Sequence, residues 1–219
     1  MILENGIITS IFRKIMGKKI VILDYGSGNV KSVFNLCSYL NDNVVISNEV
    51  KDIKNSSHII LPGVGSYNVA MKKIHKNLPV DNILEQLHNA KKPFLGICVG
   101  MQVLSDYGFE FEKSKGLGLI NGSVKLLKTN TLPLPNIGWN EIKIEKKSPL
   151  FKNIDDKDCF YFVHSYCFYN DNKNDVIATT EYNYSFVSAI HFENIYGVQF
   201  HPEKSQKSGI KLMRNFFEI

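Results

Sequence analysis

The sequence predicts one α/β domain with a mixed, mostly parallel central sheet flanked by helices and with a β-rich second half. Two observations indicate this fold class. Before about residue 115, continuous apolar stretches alternate with helical patterns, which is typical of a parallel sheet covered on both faces. After that point, short stretches rich in aromatic and β-branched residues predominate, as in strands. The length of 219 residues suits one large domain, so we expect a single domain over residues 18–219.

The first half of the domain supplies four expected strands and three expected helices. The strands are KKIVILDYG, NVVISN, SHIILPGVG and KPFLGIC. The helices are NVKSVFNLCSYL, NLPVDNILEQLHNA and VGMQVLSDY. Pro79 and Asp81, near the start of the second helix, suit a first helical turn. Strands and helices therefore alternate along the chain, as the crossover connections of a parallel sheet require.

The second half supplies short strands and one closing helix. The expected strands are SVKLL, NEIKIE, CFYFVHSY, DVIATTEY, SFVSAIHFE and YGVQF. The helix is SQKSGIKLMRNFFEI. No internal repeat interrupts this order, which argues against a solenoid or propeller.

Composition excludes several classes of protein. Hydrophobic residues make up 44% and charged residues 21%, which is typical of a folded soluble chain. The formal charge of +5 comes from lysines dispersed among Asn, Asp and Glu, so we expect solvated surface lysines and no nucleic-acid partner. No run approaches the ~18 apolar residues of a membrane span. The four cysteines show no CxxC pairing and nothing marks the chain for export, which predicts a cytoplasmic protein with free thiols and no structural zinc. Because the histidines and cysteines show no metal-ligand spacing, we expect no metal, and we expect no cofactor.

Residues 1–17 precede the first expected strand as an N-terminal extension. Ile8, Ile11, Phe12 and Ile15 recur there at helical spacing, with basic residues towards the end. A signal peptide would need a longer apolar centre with the basic residues before it. Three interpretations stay open: a disordered or misassigned start, an extra helix docked on the domain, and a helix on a membrane surface.

Cys98 lies in GICVGMQ, where an expected strand gives way directly to an expected helix. Gly96 and Gly100 flank it in the pattern of a nucleophile elbow, a turn that exposes a side chain held in a strained backbone conformation. The helix N-terminus would favour the thiolate, which is the attacking species. A buried structural cysteine is the alternative, and it suits Cys37, Cys159 and Cys167. For Cys98 the flanking glycines favour a nucleophile.

His201, in GVQFHPEKS, is the predicted base. Because Pro202 follows it, extended backbone is favoured at His201, and residues two apart on an extended segment point the same way. Glu203 can then bond one imidazole nitrogen and leave the other for the thiol. We therefore expect a Cys98, His201, Glu203 triad. The motif HPE is a weak signal by itself, and the cysteine elbow in the same domain makes it a stronger one.

Two glycine-rich turns invite different interpretations. LPGVGSY ends an expected strand, so its backbone N–H groups could stabilise developing negative charge as an oxyanion hole; a plain strand-ending turn is the alternative. DYGSGN suggests a dinucleotide site, but Lys31 stands where that pattern requires a third glycine. We therefore expect no nucleotide site there.

Taken together, these motifs resemble those of class I glutamine amidotransferases, and among them the glutaminase subunits of imidazole glycerol phosphate synthases. The motifs in order are IVILDYGSGNVKSV, LPGVGSY, GICVGMQ, GLGLINGSV, PNIGWN, YFVHSY and GVQFHPEKS. The resemblance spans about 200 residues, from Lys19 to the end. It implies a flavodoxin-like amidotransferase domain that hydrolyses glutamine to glutamate and ammonia.

The resemblance also implies roles for individual residues. Cys98 would attack the carboxamide, His201 would transfer protons and Glu203 would orient His201. The oxyanion hole would use backbone N–H groups at Val64 and Val99. The implied glutamine-binding residues are Gly65, Gln102, Glu110, Ser165 and Tyr166.

A (β/α)8-barrel cyclase subunit is the implied partner, forming a heterodimer and receiving ammonia for histidine biosynthesis. The implied interface residues are Asn29, Asn136, Gly138, Trp139, Tyr161 and Lys204. Trp139, the single Trp of the sequence, lies in PLPNIGWN, an expected loop bounded by Pro and Gly, where an aromatic side chain can anchor an interface. A Trp packed back onto the core is the alternative.

Two other functions stay open at this point. A paralogous subunit could supply ammonia to an enzyme of bacterial surface-sugar amidination, because only the partner would differ. A non-catalytic module could keep the fold and only regulate its partner, although all three triad residue types are present.

Overall fold

The core of the sheet consists of five parallel strands in a computed structural model that describes residues 17–219. In chain order these strands are β1 (Ile20–Ile22), β2 (Val44–Ile46), β3 (His58–Gly63), β4 (Phe94–Cys98) and β14 (Ile195–Val198). They lie side by side in the order β2-β1-β3-β4-β14. Because their carboxyl ends meet at one edge, the ends of β3, β4 and β14 come together there.

Helices cover this parallel core. They are α1 (Val30–Leu40), α2 (Val50–Asn55), α3 (Tyr67–Asn77), α4 (Val80–His88), α5 (Val99–Gln102) and α6 (Gln206–Glu218). Every residue of β1, β3 and β4 is buried, which fits strands packed on both faces and explains their continuous apolar runs. In α6, Leu212, Met213, Phe216 and Phe217 are buried at spacings of one turn.

Antiparallel strands extend the sheet beyond β14. They are β5 (Tyr107–Gly108), β6 (Ser114–Lys115), β7 (Gly122–Leu126), β9 (Lys143–Ile144), β11 (Tyr166–Asn170), β12 (Val176–Tyr182) and β13 (Tyr184–Phe192). The order continues β14-β13-β11-β7-β5-β6, and β12 pairs with both β13 and β9. The pairing of β5 with β7 is parallel. The fold class predicted from the sequence, including the β-rich second half, is confirmed.

Strands β8 (Asn136–Glu141) and β10 (Cys159–His164) form a separate antiparallel pair. A cis peptide bond between Leu134 and Pro135 directly precedes β8. In its register Trp139 is paired with Tyr161. The prediction of a loop around Trp139 is therefore wrong. The prediction of NEIKIE as a single strand is also wrong, because β8 ends at Glu141 and β9 covers only Lys143–Ile144. The Pro-rich start and Gly138 suggested a loop, but the extended backbone of β8 pairs fully with β10.

Further details differ from expectation. The helices α2 and α3 and the short strands β5 and β6 were not expected as elements. The expected single strand CFYFVHSY is divided, because β10 ends at His164 and β11 begins at Tyr166. The helix after Cys98 is shorter than VGMQVLSDY and ends at Gln102. Residues 99–105 are all buried, and the N–H groups of Leu104 and Ser105 bond carbonyls three residues back, which tightens and ends the helix.

The predicted extension over residues 1–17 lies outside the described residues except for Gly17. Within residues 17–219, no helix is long and apolar enough to cross a bilayer.

Candidate active site

Cys98 occupies the sharp turn between β4 and α5. Its φ of 54° and ψ of −110° are a strained combination for a residue with a side chain. A Cβ atom on Gly100 would lie 1.9 Å from the carbonyl oxygen of Leu61, and one on Gly96 would lie 2.4 Å from the carbonyl oxygen of Gly100. The two glycines therefore let α5 pack directly against β3 and β4, as the elbow motif requires.

His201 and Glu203 form a buried pair just beyond the end of β14. His201 Nδ1 donates to Glu203 Oε1 over 2.7 Å, and neither side chain has exposed area. Asn29 Nδ2 donates to the same Oε1 over 3.0 Å. Because a carboxylate holds Nδ1, His201 Nε2 is left for another partner, and it makes no hydrogen bond within the described part of the chain.

The backbone of His201 is anchored to β10. Its N–H donates to the carbonyl of Tyr161 over 2.9 Å, and its carbonyl accepts from Ser205 Oγ over 2.6 Å. Ser205 Oγ also accepts from the N–H of Tyr161 over 3.0 Å. The strand pair β8–β10 is thus joined by hydrogen bonds to the segment that carries the imidazole.

Electrostatics favour an imidazolium at His201. Burial alone would lower the pKa of His201, but the thiolate charge of Cys98 and the hydrogen bond and charge of Glu203 outweigh it and raise that pKa well above its ordinary value. Burial would likewise raise the pKa of Glu203, but its bonds to His201 and Asn29 hold that pKa below its ordinary value. The arrangement therefore favours an imidazolium at His201 flanked by the carboxylate of Glu203.

A cavity of about 420 Å³ opens beside Cys98 and His201. Its other lining residues are Val64, Gly65, Val99, Gln102, Glu110, Pro135, Val163, His164, Ser165, Tyr166 and Lys204. All the predicted glutamine-binding and oxyanion residues thus border the same space as the predicted nucleophile. A groove of about 480 Å³ between α3, α4 and β6 contains none of the predicted site residues.

The glutamine-binding residues present different groups to this cavity. Gly65 adopts a φ of 95°, which favours glycine. The carboxylate of Glu110 accepts the N–H of Tyr67, the first residue of α3, over 2.8 Å. Gln102 Nε2 donates to the carbonyl of Tyr166 over 2.9 Å. The cavity is therefore walled by residues that are far apart in the chain.

The six predicted interface residues separate into two groups. Trp139 is 45% exposed and its ring meets Tyr161 edge-on at 6.0 Å, while Lys204 Nζ lies 5.4 Å from the centre of the Tyr161 ring. Gly138 lies beside Trp139 on β8. Asn29 and Asn136 are buried and bond Glu203 and His164. Their side chains face inward in the chain by itself.

Gln199 contacts the predicted nucleophile and was not predicted from the sequence. It is fully buried, and its Nε2 lies 3.6 Å from Cys98 Sγ. The signal was present, because Gln199 precedes His201 by the same two-residue step that relates His201 to Glu203. Within residues 17–219, no group of three or more His, Cys, Asp or Glu side chains could hold a metal ion.

Comparison with known sequences identifies one family. The family described as glutamine amidotransferase class-I matches residues 21–219. A relative from Pelagibacter ubique, named imidazole glycerol phosphate synthase subunit HisH, is 41% identical over 206 residues, covering 91% of this chain and 99% of the relative. Relatives of the same name from Leptospira borgpetersenii and Methanocaldococcus jannaschii are 43% and 40% identical, each covering 90% of this chain and 98% of the relative.

Solved structures agree on the fold. A crystal structure of a glutamine amidotransferase has a TM-score of 0.70 at 15% identity, covering 90% of this chain and 97% of that chain. The structure of PurLQS from Thermotoga maritima has a TM-score of 0.66 at 17% identity, covering 92% of this chain and 98% of that chain. At these identities the likeness indicates the fold alone.

Proposed function

Because this chain belongs to the class-I glutamine amidotransferases, and within them to the HisH subunits of imidazole glycerol phosphate synthase, we propose that Cys98, His201 and Glu203 are its catalytic triad. Its reaction is that of the glutaminase subunit, the hydrolysis of glutamine to glutamate and ammonia. The observation that carries the triad is that Cys98 and His201 border one cavity while Glu203 holds the far side of the imidazole.

In the first half of the reaction, the thiolate of Cys98 attacks the carboxamide carbon of glutamine. Negative charge develops on the carboxamide oxygen, and the backbone N–H groups of Val64 and Val99 are the proposed donors to it. The imidazolium of His201 gives its Nε2 proton to the departing nitrogen, so ammonia leaves and a thioester remains.

In the second half, His201 acts in the opposite direction. Its neutral Nε2 takes a proton from water, and the resulting hydroxide attacks the thioester carbonyl. The C–S bond then breaks, Cys98 returns to the thiolate, and the product's new carboxyl group releases its proton to solvent as glutamate leaves, while His201 keeps the proton taken from water as the imidazolium. Glu203 stabilises the imidazolium in both halves and keeps Nδ1 protonated, which directs Nε2 towards the reacting atoms.

A synthase subunit needs a partner subunit, and we propose a (β/α)8-barrel cyclase in the cytoplasm. The proposed interface is the surface cluster of Trp139, Tyr161 and Lys204 together with Gly138 on β8. This cluster joins a partly exposed aromatic pair to a cation beside the cavity, and Lys204 itself lines that cavity. Ammonia released at Cys98 would thus form close to the docked partner.

The test is glutamate release by the full-length chain co-purified with the cyclase subunit encoded in the same genome. We expect Cys98→Ala to lower the rate roughly a thousandfold or more, because no other group supplies the nucleophile. Cys159→Ala is the matched control, since Cys159 is a free cysteine that does not line the cavity. Equal glutamate release by wild type and Cys98→Ala would contradict the proposal.

A further inference from the structure

Gln199 lies against the predicted nucleophile. Its side chain is fully buried, and its backbone N–H donates to the carbonyl of Ser188 over 2.9 Å, which fixes its place at the end of β14. Its carboxamide nitrogen lies 3.6 Å from Cys98 Sγ, an ordinary length for a hydrogen bond to sulfur. The protein therefore keeps an uncharged donor beside the sulfur in addition to the imidazole.

The orientation of the Gln199 carboxamide group follows from neighbouring groups that can only accept or only donate a hydrogen bond. The carbonyl oxygen of Tyr166 can only accept, so the group of Gln102 that faces it at 2.9 Å must be the NH₂ group. That same nitrogen lies 3.1 Å from the Gln199 amide and can only donate, so it faces the Gln199 oxygen. The NH₂ group of Gln199 is consequently the end that faces Cys98, and an amide flip would break this chain.

His164 supports the same arrangement, because it is a second donor to the Tyr166 carbonyl. Its Nδ1 lies 2.9 Å from the Tyr166 carbonyl and must donate, which leaves Nε2 to accept from Asn136 Nδ2 at 3.3 Å. Two donors thus hold the Tyr166 carbonyl in place. The ordered series from Asn136 to Cys98 passes through His164, Tyr166, Gln102 and Gln199, and every link within it has a defined donor.

We propose that Gln199 is a catalytic residue that stabilises the Cys98 thiolate by donating a carboxamide N–H to Sγ, with its orientation imposed by Gln102 and the Tyr166 carbonyl. The inference rests on the proposed function only in taking Cys98 as the nucleophile. A buried thiolate needs donors, and a neutral amide serves it without supplying a proton that would quench the nucleophile. His201 then keeps its proton for the leaving nitrogen.

A purely structural glutamine would explain the burial but not the chemistry. It would fill space and satisfy Gln102, and its loss would change the stability of the fold without altering how readily the sulfur ionises. A thiolate donor, in contrast, changes the pH at which the sulfur becomes reactive. The two roles therefore separate in a pH profile.

The test measures alkylation of Cys98 by iodoacetamide across pH, followed by mass spectrometry of the peptide that contains Cys98. This readout separates Cys98 from Cys37, Cys159 and Cys167 and requires neither glutamine nor a partner. In Gln199→Met, which keeps the volume and loses the donor, we expect the midpoint of the profile to rise by about one pH unit, and the rate at neutral pH to fall roughly tenfold. In Gln199→Glu, which keeps the shape and turns an acceptor towards Sγ, we expect a rise at least as large.

Ser188→Ala is the matched control. Ser188 is fully buried beside Gln199, its hydroxyl has no partner among the described residues, and its carbonyl bond to Gln199 survives the change. The midpoint of the alkylation profile of Ser188→Ala should stay at the wild-type value. If Gln199→Met does not fold, as judged by circular dichroism, Gln199→Glu is decisive by itself.

An unchanged midpoint in the folded Gln199 variants would overturn the proposal. That result would be distinct from failure of the proposed function, which would appear as absent glutamate release by the wild-type complex while alkylation of Cys98 still depended on Gln199.

Discussion

The two edges of the parallel sheet each contain a completely buried histidine, and the two histidines are in opposite states. At the carboxyl edge, His201 bonds Glu203 and faces Cys98, and its pKa is raised. At the amino edge, His58 begins β3 and packs edge-on against Phe216 of α6 with ring centres 5.1 Å apart. There burial, with Lys18 adding to it, lowers the pKa of His58 to about 3.

Burial alone therefore does not decide the charge of a histidine in this protein. What decides it is whether an opposite charge is buried with it. The amino edge is held by apolar packing and keeps His58 neutral, while the carboxyl edge keeps ionised groups that must compensate one another. The carboxyl edge is consequently the edge suited to proton transfer.

Among the changes that test this contrast between the two histidines, removal of the compensating charge should have the largest effect. Glu203→Gln keeps the shape but takes away the carboxylate that supports the imidazolium. We expect glutamate release by the partner-bound enzyme to fall roughly 10²- to 10⁴-fold at neutral pH, measured as kcat. The acid form of His201 would also be lost at a lower pH, because the pKa of His201 loses one of the causes that raise it.

Asn29→Ala is the control for that experiment. Asn29 is the other donor to Glu203 Oε1, and its loss leaves the carboxylate charge in place. We expect a smaller fall than in Glu203→Gln, of about tenfold to a hundredfold with saturating partner, since a hydrogen bond from a neutral donor to a carboxylate contributes about 1.5–3 kcal/mol. Equal losses in Glu203→Gln and Asn29→Ala would show that the charge of Glu203 is not what matters.

The carboxyl edge also depends on close backbone packing, and Gly100→Ala should expose this dependence. The added methyl would lie 1.9 Å from the carbonyl oxygen of Leu61, which cannot move without shifting β3. We expect the free energy of unfolding in urea to fall by more than about 3 kcal/mol. Gly28→Ala is the matched control: its methyl would lie 3.5 Å from Val64 Cγ2, an ordinary contact, so the change should stay below about 1 kcal/mol. Similar losses in both variants would contradict this explanation.

Much of this architecture could be predicted because it depends on local patterns. The fold class and the family predicted from the sequence are confirmed. Helix α3 was missed although Tyr67, Ala70, Met71 and Ile74 recur at helical spacing and are all buried. Its lysines and Asn obscured the pattern. Strand β8 was missed because Pro and Gly suggest loops, and only its pairing with β10 shows otherwise.

The site residues stay predictions. Residues marked by a local sequence pattern were easier to find than contacts between residues that are far apart in the chain. Cys98, His201 and Glu203 are recognisable from flanking glycines or two-residue spacing within a few positions. The bond between Asn29 and Glu203 joins residues 174 apart, and the contact of Gln199 with Cys98 joins residues 101 apart. Such pairs depend on strand order in the sheet, which no single segment encodes.

The smallest expected effect follows from the neutral state of His58. It concerns how the free energy of unfolding changes as the pH is lowered. The unfolded chain binds a proton at His58 below about pH 6.5, whereas the native chain does not until about pH 3. Because the unfolded state then holds more protons, stability falls as the pH is lowered across this window, by about 1.4 kcal/mol per pH unit. His58→Leu should therefore reduce the loss of unfolding free energy between pH 6 and pH 5 by about 1 kcal/mol, measured by urea titration, and His75→Leu, at an exposed histidine, should not. An unchanged slope in His58→Leu would mean that His58 accepts a proton in the native state, and the contrast between the two edges of the sheet would then be lost.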